Sequence, residues 1–130
     1  MTAGLSAANF ANEILDSFDG TATDINLVAS HVQLHDGDPG ASGTANTSAE
    51  TDRQSLSWGA TAGGSRSIDN TPEWADWDSG TETISHISVW NQATTGTFRF
   101  SAELQTPREV QNDDTLRLTS LTFAFTPIAA

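Results

Sequence analysis

No cysteine and no lysine occur among the 130 residues. The first absence removes disulfides, thiol nucleophiles and thiolate zinc sites together. The second leaves five arginines as the only lasting cations, Arg53, Arg66, Arg99, Arg108 and Arg117, against seventeen Asp and Glu and a net charge of -12. Binding nucleic acid takes several cationic phosphate contacts. Five scattered arginines in an acidic field make no basic stripe, so neither nucleic acid nor an anionic membrane is expected as a partner. No apolar run approaches the ~18 residues of a transmembrane helix. The opening "MTAGLSAANF" lacks the basic n-region of a secretory signal, and no signal peptide is expected. Phosphate-loop and dinucleotide glycine signatures are missing too.

Large apolar side chains are also scarce: Leu, Ile, Val and Phe number 25 of 130. With this charge, such a composition leans toward disorder. Four tryptophans, six phenylalanines and clean strand alternation weigh against that. The composition instead suits concentrated salt, where a Debye length of roughly 3 Å at 1 M screens the repulsion between carboxylates. Carboxylates also keep a protein hydrated and dispersed better than lysines do. Acid-rich, lysine-free and threonine-rich is the haloarchaeal style, and a halophilic setting is expected.

The length fits one domain, which buries roughly two-thirds of its unfolded surface. In "LSAANFANEILDSFDG", Ala7, Ala11, Ile14 and Phe18 recur at helical spacing, with Leu15 beside them. Ser6 is a ready N-cap and Gly20 a stop. After residue 20 the period changes to two. Val32 and Leu34 alternate with His31, Gln33 and His35, and "QSLSWG" carries Leu56 and Trp58. "IDNTPEWADWDSGTETISHISVWN" divides into two strands at Asp78-Ser79-Gly80. The second of these sets Ile84, His86, Ser88 and Trp90 on one face and Ile87 and Val89 on the other. "TFRFSAEL" places Phe98, Phe100, Ala102 and Leu104 inward and Arg99 outward; "QTPREVQNDD" reads as a loop, and short strands follow around Leu116 and Phe123. Short alternating strands punctuated by turns predict a mainly β fold, an antiparallel β-sandwich, immunoglobulin-like or jelly-roll-like, with one N-terminal α-helix. The expected division is a helix over 1–20 and a single β-sandwich domain over 21–130.

One stretch invites a chemical reading. "SHVQLHDGDPGASG" packs His31, His35, Asp36 and Asp38 into a few residues. On a helix the two histidines would share a metal. On a strand they lie roughly 13 Å apart at ~3.3 Å per residue, beyond the ~2.1 Å reach of metal–nitrogen bonds. Asp36 and Asp38 begin like a calcium loop, but no Glu follows at the required place. The alternation of Val32 and Leu34 favours the strand, and Asp38-Pro39-Gly40 then reads as a tight turn with Asp38 accepting a local backbone hydrogen bond. No nucleophile-elbow pattern occurs, and no carboxylate pair stands out among seventeen. No catalytic residue, metal or cofactor is expected, and the chain is not expected to be an enzyme.

The remaining signals concern surfaces. The polar segment 36–53 is long enough to suggest a functional or partner-covered loop. Trp74 and Trp77 in "EWADW", three apart, cannot share one strand face. Either one is exposed, to anchor an interface or stack on a glycan, or both fill a core short of aliphatics. Trp74, Trp77, Asp36, Asp38, Pro39, Phe10, Phe18 and Ile128 of the apolar "PIAA" are the candidate interface residues.

Two stretches in order, "VQLHDGDPGASGTAN…DRQSLSWG" and "ISHISVWNQATTGTFRFSAELQTPREVQNDDTLRLTSLTF", after an N-terminal helix, resemble a family of small virion proteins of tailed phages described as tail-fibre or minor structural proteins. The likeness covers roughly residues 5–125. It departs from the family's pattern at Asp113 and Ser120, where glycine is usual. The resemblance brings no catalytic residues with it. It implies a structural protein on the outside of a halophilic tailed virus, assembled in the host cytoplasm. The leading expectation is an oligomeric capsid-decoration or turret module, partnered by copies of itself and by other virion proteins such as major capsid or tail proteins. The alternative is a tail-fibre, tail-tip or baseplate module that recognises a host surface glycoprotein.

Overall fold

The computed structural model describes residues 3–20 and 25–125. Its strands are β1 His31–His35, β2 Gln54–Ser55, β3 Ser65–Ser67, β4 Glu73–Trp74, β5 Glu82–Trp90, β6 Phe98–Val110, β7 Leu116–Arg117 and β8 Thr122–Ala124. One layer is a four-stranded sheet in the order β2-β1-β5-β6; the ladders β3–β8 and β4–β7 form the other, and every pairing is antiparallel. The fold is the β-sandwich that the alternation predicts.

Between the layers lie Val32, Leu34, Ile84, Ile87, Val89, Phe100 and Val110 from the large sheet, with Trp74, Trp77, Leu56 and Phe10 packed on them. Full burial of one such aliphatic side chain contributes about 1.5–3 kcal/mol, so a chain short of them places nearly all its strand hydrophobics here.

Residues 7–19 are helical in three registers: a π-turn over Ala7–Ala11, α1 over Asn12–Asp16 and a 3₁₀ turn over Ser17–Asp19. Ser6 Oγ accepts the Asn9 N–H at 3.2 Å, and Gly20 closes the end at φ +76°, both as expected. The inward face differs from the predicted stripe. Phe10 and Ile14 turn toward the core, while Ala7 and Phe18 point to solvent. A π-turn carries more residues per turn than an α-helix, which shifts the phase of the face.

Two bulges in the β5–β6 ladder correct the alternation read from sequence. Val89 pairs with Phe100 but Trp90 with Phe98, so Arg99 is an extra residue. Phe100 therefore meets Phe10 and Phe123 in the core, while Phe98 meets Trp90 on the opposite sheet face. Arg99, expected outside, is buried; its guanidinium donates to the carbonyls of Val28, Asn9 and Asn26 at 3.0, 2.7 and 3.1 Å. The other bulge brings Ile84 into the core beside Ile87 and Val89, off the face it was expected to share with His86. "QTPREV", expected as loop, continues β6: Ile84, Thr83 and Glu82 pair with Arg108, Glu109 and Val110.

The free edge of β6 is covered by the chain's own start. Ser6 N–H donates to Arg99 O, Ser101 N–H to Gly4 O, and Gly4 N–H to Ser101 Oγ. An exposed strand edge is a template for unwanted pairing, and this segment covers it at Arg99–Ser101.

Candidate functional site

The His-Asp stretch lies on β1 and the turn after it, and its donors are spent inside the fold. His35 is fully buried. Its Nδ1 stands 2.9 Å from Ala45 O, which only accepts, so Nδ1 carries the proton. Nε2, 2.7 Å from Ser88 Oγ, then accepts the Ser88 hydroxyl, which itself accepts from Trp90 Nε1 at 2.7 Å. Burial lowers the His35 pKa; the carbonyls of Ala45 and Asn46 and the charge of Asp36 pull the other way, and His86 adds to the lowering. His31 and His86 bond instead to the hydroxyls of their neighbours Ser30 and Ser85. Asp38 Oδ1 accepts the Gly40 N–H at 2.9 Å, the expected turn. Among the described residues, no three His, Asp or Glu side chains gather as a metal set.

Segment 36–53 covers the second face of the large sheet. That face carries Gln33, His35, Ser88, Trp90, Phe98 and Ser101, all buried. Gly43 lies on the Phe98 ring, so close that a Cβ would overlap it. Arg53 sits 4.0 Å from the centre of the Trp90 ring and donates to Gln33 Oε1 and to the carbonyls of Gln92 and Thr95. A cation desolvated over an indole contributes about 1–2 kcal/mol. The long loop is a lid for a polar and aromatic sheet face. Of its candidate interface residues only Asp36 is exposed; Asp38 is half-buried and Pro39 buried in the turn.

Trp74 and Trp77 are 3% and 1% exposed, which removes both as surface anchors. Their Nε1 atoms donate to Asp52 O and Gly80 O at 2.8 and 2.7 Å. A continuous strand through both would set the two indoles on opposite faces. Instead β4 ends at Trp74, and Asp76 at φ +53° turns the chain so that both indoles point inward. Phe10 is likewise buried, against Phe100 and Phe123. Phe18, at 79%, is the one aromatic candidate that stays outside. Ile128 lies outside the described residues.

Two features escape the sequence reading. Exposed Leu5, Leu15, Ile25 and Val28 join Phe18 among large apolar groups in the first 28 residues. A cavity of about 200 Å³ also opens beside the β6 bulge at residues 104–107, between it and residues 116–120. Of its lining, Gln105, Thr106 and Arg108 fall in the stretch expected as loop, and no motif marks the register shift that makes it.

The family model described as "Podophage GP4 fiber I protein gp80" matches residues 4–126. The chain belongs to that family. It is a fibre-type structural protein associated with the virion, as the resemblance to tailed-phage virion proteins implies. No curated protein matches. The fibre family speaks for the tail-fibre alternative over the capsid-decoration expectation. Asp113 takes φ +75°, a conformation that glycine adopts freely, at one of the two positions where the resemblance leads one to expect glycine.

Proposed function

We infer that the chain is a fibre-type module on the outside of a tailed virus particle, placed at the tail and used in contact with the host. The family match over residues 4–126 carries this reading. The module does no covalent chemistry: the histidines of its one suggestive stretch are occupied in holding β1 to its lid and neighbours. It works as an oligomer seated on other virion proteins, and exposed Leu15 and Phe18 beside Leu5, Ile25 and Val28 supply apolar surface for such contacts. It takes no nucleic acid, membrane or cofactor. The acid-rich, lysine-free composition supports a saline, haloarchaeal host.

Labelling intact particles with an antibody against the chain tests the placement. Label on the tail is the expected result, and label confined to the capsid would overturn it. A Trp74→Ala, Trp77→Ala variant is no probe of host binding, because both indoles belong to the core.

A further inference from the structure

The cavity at the β6 bulge combines three features that occur together nowhere else among the described residues. Its apolar lining is half-buried Leu104, Leu116 and Leu118, backed by the buried Leu34, Ile87 and Trp74. Its mouth carries Gln105, Thr106, Thr119 and Ser120, whose side chains make no hydrogen bond within the described structure. Beside them stands Arg108.

Arg108 differs from the other four arginines. Arg53 stacks on Trp90, Arg66 donates to Gly59 O, Arg99 holds three carbonyls, and Arg117 pairs with Glu73 at 2.6 Å. Arg108 has no hydrogen bond or ion pair among the described residues, although acids outnumber arginines seventeen to five. Because Glu73 neutralises Arg117, the mouth keeps one uncompensated guanidinium.

We propose that this cavity binds one carboxylated sugar unit, a uronate-type ring, with Arg108 holding the carboxylate. A guanidinium meets a carboxylate through two parallel N–H···O bonds. The amide and hydroxyls at the mouth match ring hydroxyls, and the leucine side chains of the lining match the C–H face of the ring. The size selects a single ring, because sites for drug-sized ligands start at about 300 Å³. This deepens the fibre reading and rests on it only for where such a sugar is met, at a host surface.

Amide shifts of the isotopically labelled protein, titrated with D-glucuronate, D-glucose and acetate at constant ionic strength, test it. Glucuronate should saturate shifts confined to residues 104–106, 108 and 116–120, with glucose and acetate each about tenfold weaker or more. Arg108→Ala should weaken glucuronate about tenfold or more, and Arg108→Lys less. Arg66→Ala should change nothing. Both side chains are exposed, and an unaltered spectrum elsewhere certifies the fold. The proposal is overturned by absent shifts, by undiminished binding in Arg108→Ala, or by an acidic peptide that occupies the site more tightly than the sugar. Failure here with label on the tail leaves the fibre reading standing. Capsid label with glucuronate bound does the reverse.

Discussion

Asp113 sits in a backbone conformation that costs an L-residue about 1–2 kcal/mol, less for Asp, which tolerates it better than most. Asp113→Gly should raise stability by roughly 0.5 kcal/mol, the strain relieved being partly offset by the entropy glycine loses on folding. Urea midpoints check this, and Asp113→Asn separates strain from charge because it removes only the charge. At Gly43 the sign reverses. Its φ is +74° and its α-carbon lies on the Phe98 ring, so Gly43→Ala should cost about 2–4 kcal/mol from strain and overlap together. His35 links stability to pH. Its pKa is lowered by burial from the ordinary 6.5, so the proton binds the unfolded chain more tightly. The contribution is full above about pH 6.5 and is lost as pH falls from there through the folded value. Asp36 and His86 face it from the lid turn and from β5. Because the carboxylates also titrate, the measurement is a comparison: the urea midpoint of the native chain should fall relative to that of His35→Gln between pH 7.5 and 5. Parallel midpoints would remove the linkage. The residue types at these positions are plain in the sequence, but their backbone angles are not. "HDGDPG" discloses a strand and a turn; only contacts made through the fold, to Ser88 on β5 and to the Ala45 carbonyl, turn His35 into a buried neutral donor–acceptor.

Elements were legible where period and punctuation agreed. The helix caps at Ser6 and Gly20, β1, the break at Asp78-Ser79-Gly80 and β5 all follow from local pattern. The bulges at Arg99 and at residues 104–107 do not, because extra residues in one strand are defined only by its partner. Each bulge redirects side chains: one separates Phe98 from Phe100 and buries Arg99, the other opens the cavity beneath Arg108. Arg99 makes the first bulge a clasp for the N-terminal segment through Asn9, Asn26 and Val28. Arg99→Met keeps much of the apolar stem but leaves three carbonyls short of a donor. It should destabilise by about 3 kcal/mol and first expose the amides of the N-terminal segment to hydrogen exchange, since that segment loses its anchor before the sheet opens. Uniform loss of protection across the sheet would refute the clasp.

At the scale of the molecule, charge is the dominant fact. Every described Asp and Glu is exposed or half-buried, so the carboxylates repel across the surface rather than pairing in the core. In dilute buffer the screening length is about 30 Å at 0.01 M and in brine about 3 Å at 1 M, so the isolated protein should lose structure on transfer from molar to millimolar salt. A circular dichroism spectrum unchanged over that range would refute this. The exclusion of thiol chemistry and of a basic surface, and the antiparallel sandwich, followed from the sequence alone, because composition and period-two alternation are properties that no partner strand can alter. Tertiary structure decided where the tryptophans, Phe10, Arg99 and the lid go, and that Arg108, without an acidic partner among the described residues, stands at a cavity of mixed lining. Those outcomes depend on register between residues distant along the chain, and register is settled by packing rather than by any local run of side chains.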